Sequence, residues 1–216
     1  MRKLLLVCSG ALLALQSPAP QVALIVLDTA RPPVGRLPDG WQLKVNSGQA
    51  DISTSKEDNE SILHLKSVKS SFSLERGLDI DPAQTPYLMW RWKVTELPNR
   101  GDFRHSSTDD EAAQVLVAFA DRRVLSYIWD STAPQGLMQS ASIFPWVHVY
   151  SVVCRSGTAE ANHWLMERRN VAEDYKKAYG KPAPHVKGLR LQINSQHTAA
   201  VAESYFGEVA FRDAPQ

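Results

Sequence analysis

Cysteine is almost missing from this sequence, with only Cys8 and Cys154 in 216 residues. If the N-terminal stretch holding Cys8 is removed on export, Cys154 has no partner, and an intramolecular disulfide is excluded. The fold must then stand on its apolar core. Cys154 lies in the run VYSVVCRS, where a small buried hydrophobe is the expected role, and no motif pairs it with a histidine for nucleophilic chemistry. An excess of one charge is also lacking, since 24 basic and 23 acidic side chains leave a formal charge of +1. Without a basic block, nucleic acid and anionic membrane surfaces are poor partners. There is no glycine-rich phosphate loop, zinc-ligand spacing or dinucleotide fingerprint, and no G-x-S-x-G elbow at Ser156.

Long hydrophobic runs are scarce too. The run LLLVCSGALLAL (Leu4 to Leu15) follows a short cationic start and is broken by QSPAPQ; it is too short to span a bilayer. This pattern predicts a signal peptide over residues 1–23 and a periplasmic protein with no transmembrane span after cleavage; an uncleaved N-terminal anchor is the alternative. A Pro- and Gly-rich extended segment is expected over 24–40, and a single domain over 41–213.

Helical periodicity is nearly absent. Strand signals recur at 41–45, 62–67, 71–80, 87–94, 114–120, 124–131, 147–156, 186–195 and 203–212, with the polar stretch after Val45 read as a solvated loop. Many short strands with turns between them predict an all-β fold, an antiparallel β-sandwich of the jelly-roll type. One short helix is expected after Asn170, with Glu173 and Asp174 early, Lys176 and Lys177 late, and Gly180 as its stop. With little apolar stripe, it belongs across one end of the sandwich.

Period-two alternation indicates which side chains share a face. In GLRLQINS, Leu189, Leu191 and Ile193 lie opposite Arg190, Gln192 and Asn194. Arg91 lies opposite Trp90 and Trp92, and Tyr127 shares a face with Trp129. Amides and guanidinium groups suit vicinal sugar hydroxyls, and rings suit the C–H face of a pyranose. Arg91, Tyr127, Trp129, Arg190, Gln192 and Asn194 are therefore the candidate binding residues for a glycan or other polar small ligand. The plain alternative is a sheet face that is polar because it meets water.

The segment GDFRHSSTDDEAAQ has several readings. Thr108 and Glu111 have capping-box spacing, which predicts one helical turn. Asp102, Asp109 and Asp110 offer oxygens for calcium, the only cofactor worth considering, although no loop motif supports it. Adjacent Asp109 and Asp110 point opposite ways in an extended chain, so at most one faces a ligand. The other would cap, or pair with Arg104 or His105. Asp109 or Asp110 with Glu167 or Asp130 would provide two carboxylates for glycoside cleavage, and His197 an acid–base group. No spacing joins Asp109, Asp110, Glu167 and His197 into one cleft.

Several blocks together, among them WRWKV, DDEAAQVLVAF, ERRNVAEDYKKAYG, VKGLRLQINSQHT and YFGEVAFR, resemble an uncharacterised exported bacterial family, domain of unknown function 3047. The likeness runs from about Trp41 to Arg212, and it implies a compartment and a shape but no activity. YFGEVAFR is similar to the last strand of galactose-binding-like jelly rolls. A carbohydrate-binding domain is the leading expectation. A polysaccharide hydrolase or lyase, and a structural envelope protein without a small ligand, are the alternatives.

Overall fold

The computed structural model describes residues 22–30, 37–57, 60–144 and 147–214. Almost all of the predicted leader therefore lies outside the described residues. Thirteen strands and one helix are present among those described. They are β1 (Val22–Leu27), β2 (Gln42–Ser47), β3 (Asp51–Glu57), β4 (Glu60–Val68), β5 (Ser71–Ile80), β6 (Tyr87–Glu96) and β7 (Ala113–Phe119). Then come β8 (Arg123–Asp130), β9 (Met138–Phe144), β10 (Val147–Ser156), β11 (Leu165–Asn170), α1 (Val171–Tyr179), β12 (Val186–Asn194) and β13 (Val201–Arg212).

Two sheets face each other. The six-stranded sheet runs β11-β6-β13-β4-β3, with β1 added on β13, and the seven-stranded sheet runs β2-β5-β12-β7-β8-β10-β9. The pairings are antiparallel except between β8 and β10. The sandwich is held by the faces that meet. Leu88, Trp90, Trp92, Val94, Phe206 and Phe211 from one sheet pack against Phe72, Leu74, Val115, Val117, Leu191 and Ile193 from the other, all essentially inaccessible. Such burial contributes about 1.5–3 kcal/mol per large side chain, which lets the domain stand without a disulfide. Cys154 is buried in this core, as expected, and burial holds its thiol protonated.

α1 begins where Asn170 accepts hydrogen bonds from the N–H groups of Ala172 and Glu173, and ends at Gly180 in the left-handed conformation. Its inward residues are tied to the sandwich. Asp174 accepts the Tyr127 hydroxyl at 2.9 Å and pairs with Arg169 at 2.6 Å, and the Tyr179 hydroxyl donates to the Val124 carbonyl at 2.7 Å.

Four strands lie where none was expected. β1 falls inside the predicted leader and extended segment, pairing with the last half of β13. β3 occupies the presumed solvated loop, and β9 and β11 complete the sheets.

Candidate functional site

The strand register arranges the outer face of the seven-stranded sheet into rows. One row crosses Lys44, Ser73, Gln192, Gln114 and Ile128; the next crosses Gln42, Glu75, Arg190, Leu116, Ser126 and Ser151. A third crosses Gly77, Gly188, Ala118, Val124 and Val149. The first two rows are thus polar over β2, β5 and β12, and apart from Gln114 the side chains over β7, β8 and β10 are small or apolar. A cleft of about 670 Å³ follows these rows. Arg190 is braced by Glu75 at 2.7 Å, and Lys44 approaches the same carboxylate at 3.8 Å.

The loop before β7 closes one end of the cleft. It is not the helical turn that Thr108 and Glu111 suggested: the Asp110 N–H donates to the Thr108 carbonyl at 2.7 Å, and the Glu111 N–H donates to Asn194 Oδ1 at 3.1 Å. Thr108 instead donates its hydroxyl to the Asp102 carbonyl at 3.2 Å. Gly101 packs so closely beneath the loop that a Cβ would stand 2.3 Å from the Asp110 carbonyl oxygen. Asn194 organises the rest. Its Nδ2 donates to the Asp109 carbonyl at 2.6 Å, and its Oδ1 accepts Gln114 Nε2 at 2.6 Å. Gln114 Nε2 also donates to Glu111 Oε2 at 2.7 Å.

The three acids of this loop do different work. Asp110 is fully buried and accepts the Thr198 N–H and hydroxyl at 2.6 and 2.7 Å and the His197 N–H at 3.2 Å, so it caps the turn after β12. Asp109 and Glu111 both line the cleft, and Glu111 Oε1 is buried with no hydrogen-bond partner among the described residues. Burial, then the neighbouring Asp109 charge, pushes Glu111 well above the usual carboxylate range. Burial raises Asp109 as well. Asp102 is held down at about 2 by Arg104, whose guanidinium it accepts at 2.6 and 2.8 Å.

Of the residues proposed from sequence, Arg190, Gln192, Asn194 and Asp109 line one cleft. Trp129 and Tyr127 do not: both are wholly buried on the inner face, with Trp129 against Trp92 at 5.8 Å and its Nε1 donating to the Gly157 carbonyl. The same alternation was read correctly, but the apolar rings took the dry side. Arg91 is on the other sheet, paired with Glu60 at 2.9 Å. Glu167 is also remote, accepting Trp92 Nε1 at 3.2 Å and Arg155 Nε at 2.6 Å. His197 sits outside the cleft lining, its Nδ1 2.9 Å from the Asp109 carbonyl. Asp130 spends its carboxylate on the N–H groups of Phe103, Thr132 and Ala133. Asp102 is paired with Arg104 and Asp110 caps the turn after β12, so of the three acids considered for calcium Asp109 alone lines the cleft. Among the described residues, no group of three or more His, Cys, Asp or Glu is placed to hold a metal ion. Glu111, Gln114, Glu75 and Lys44 were not foreseen in the cleft.

With the cleft described, the comparisons can be placed. The chain belongs to the DUF3047 family. It matches this family, described as Protein of unknown function, over residues 39–210. No curated protein matches it in sequence. In fold it is similar to the xyloglucanase domain of NopAA, a type three effector from Sinorhizobium fredii, solved in complex with cellobiose. That likeness has a TM-score of 0.51 at 9% identity, covering 80% of this chain and 93% of that one. A family 11 carbohydrate-binding module of a Clostridium thermocellum cellulosomal cellulase is also similar, with a TM-score of 0.48 at 8% identity over 93% and 98% of the two chains. At 9% identity the likeness to the NopAA domain speaks for a two-sheet sandwich and not for a ligand.

Proposed function

We propose that this DUF3047 protein binds a polysaccharide chain along the cleft of the seven-stranded sheet. The observation that carries this reading is the change of chemistry across the cleft. Arg190 and Gln192 present donors and an acceptor beside an aliphatic strip of Leu116, Ile128 and Val149. A sugar ring has the matching halves, a hydroxyl edge and an apolar C–H face. The aliphatic strip takes the place of the aromatic platform expected from sequence. With the exported location suggested by the N-terminus, the ligand class is an envelope or extracellular glycan.

The test is affinity electrophoresis and thermal shift with β-glucan, xyloglucan, glucomannan, polygalacturonate and alginate. At least one polysaccharide should retard the protein and raise its melting temperature, because a ligand bound only by the native state stabilises it. No retardation and no shift across the panel would contradict the reading.

A further inference from the structure

The cleft of the seven-stranded sheet is polarised along its length. At the Gly188 end, Arg76 and Lys187 line it. Midway, Glu75 is answered by Arg190 at 2.7 Å and Lys44 at 3.8 Å. At the loop end it is lined by Asp109, Glu111, Gln114 and Asn194, with no lysine or arginine among them. Acids gathered at a surface do not by themselves make a site, but Glu111 carries a second feature. It is 3% exposed, and its Oε1 has no hydrogen-bond partner among the described residues. Its Oε2 accepts Nε2 of Gln114, a side chain of the outer face, so the carboxyl stands on the cleft side of β7. A buried oxygen without a donor is costly, and the cleft is where a donor can enter.

We propose that the loop end of the cleft takes an ammonium group, and hence that the polysaccharide bound there carries free amino groups. The inference rests on the carbohydrate reading above and names the chemical class of its ligand. A sugar hydroxyl could also donate to Glu111 Oε1, but it would leave the surrounding acids unopposed. The charges that weigh most on Glu111 come from Asp109, Asp130 and Asp110. His197, the base that Asp109 faces, stands 3.5 Å from Asp110 Oδ1. An ammonium supplies the missing donor and offsets the negative charge together. Burial and the neighbouring acids favour a protonated Glu111, so the arriving cation displaces that proton. The Glu111 O–H bond breaks, the proton passes to solvent, and the carboxylate keeps the electron pair and accepts the ammonium N–H. Asp109, partly buried in the same wall, is the second acid that meets the cation. Ser126 Oγ, also buried without a partner among the described residues, lines the same cleft and suits a hydroxyl of the same chain.

The experiment is titration calorimetry of the full chain, Glu111→Gln and Asp109→Asn with oligomers of glucosamine, N-acetylglucosamine and glucose that share one length and linkage. Mildly acid buffer keeps the amine protonated. The wild type should bind the glucosamine oligomer at least about tenfold more tightly than the other two, the scale of a charge-assisted contact. It should also release a proton on binding, read as a heat that changes with the ionisation enthalpy of the buffer. Glu111→Gln, whose amide oxygen can still accept from Gln114, should lose both the preference and the proton release. Asp109→Asn should narrow the preference, and with the wild-type proton release it decides the matter if Glu111→Gln does not fold. A merely structural role for Glu111 would weaken all three oligomers together and leave their ratio in place. Equal binding of the three by the wild type, a preference without proton release, or a preference undiminished in Glu111→Gln would overturn the ammonium site and leave the carbohydrate reading intact. So would retardation by a polysaccharide of the panel above with no binding of the glucosamine oligomer. Neither retardation nor oligomer binding would overturn both.

Discussion

The outer faces of the two sheets are polar by the same alternation, yet they are unlike. On the six-stranded sheet several cations are held by acids: Arg91 by Glu60 at 2.9 Å, Lys93 by Glu57 at 3.1 Å, and Lys66 by Glu203 at 3.5 Å, an acid that His64 also reaches at 3.0 Å. Lys93 also lies over the rings of Trp164 and Tyr205 at 4.9 and 4.8 Å. The seven-stranded sheet instead steps from polar side chains over β2 and β5 to Leu116 and Ile128, and ends at Glu111, a carboxyl that burial holds against its own charge. Alternation marks a face that meets water. A site needs, in addition, a change of chemistry along that face.

The largest test of this contrast concerns a residue on neither outer face. Trp129→Ala should cost about 3–5 kcal/mol in a denaturant melt, as for a large aromatic removed from a core. A surface ring that served only a ligand would leave the melt unchanged. The second test is the pH dependence of stability. Glu111 has a raised native pKa, so the native state holds its proton longer than the unfolded chain, whose carboxyl titrates near the ordinary value of 4.5. Stability should therefore be full below that pH and fall as pH rises through the native value, by at most about 1.4 kcal/mol per pH unit for one proton. Glu111→Gln should remove this decline; an identical decline in the variant would place the retained proton elsewhere. The smallest effect belongs to the six-stranded sheet, where Arg91→Ala should change stability by no more than about 1 kcal/mol, because its ion pair with Glu60 is partly solvated.

Much of the framework was legible because burial imposes a period of two on strands and caps leave side-chain signatures on helices. β5 runs over Ser71–Ile80 as read, and Asn170 and Gly180 bound α1. β3 was hidden because its residues, DISTSKE, are mostly exposed, as at a sheet edge, and show no clean apolar stripe. β11 is likewise an edge strand. At the site, Arg190, Gln192 and Asn194 stood out because Leu189, Leu191 and Ile193 left their side no role in the core. Trp129 did not, since Val124, Ser126 and Ile128 opposite it are nearly as apolar, and alternation alone cannot say which side is dry. Glu111 was obscured by its fit to a capping box. Its true role comes from Asn194, which is 83 residues away in sequence and donates nothing to a helix, but accepts the Glu111 N–H.

On the proposed reading the cleft on the seven-stranded sheet takes the ligand, and the polar face of the other sheet does not. Titration calorimetry of the wild type, Arg190→Ala/Gln192→Ala and Arg91→Ala against any polysaccharide that retards the protein tests this directly. The double variant should bind at least about tenfold more weakly, a loss of about 1.4 kcal/mol, while Arg91→Ala matches the wild type. Unchanged affinity in the double variant, or a loss confined to Arg91→Ala, would contradict it.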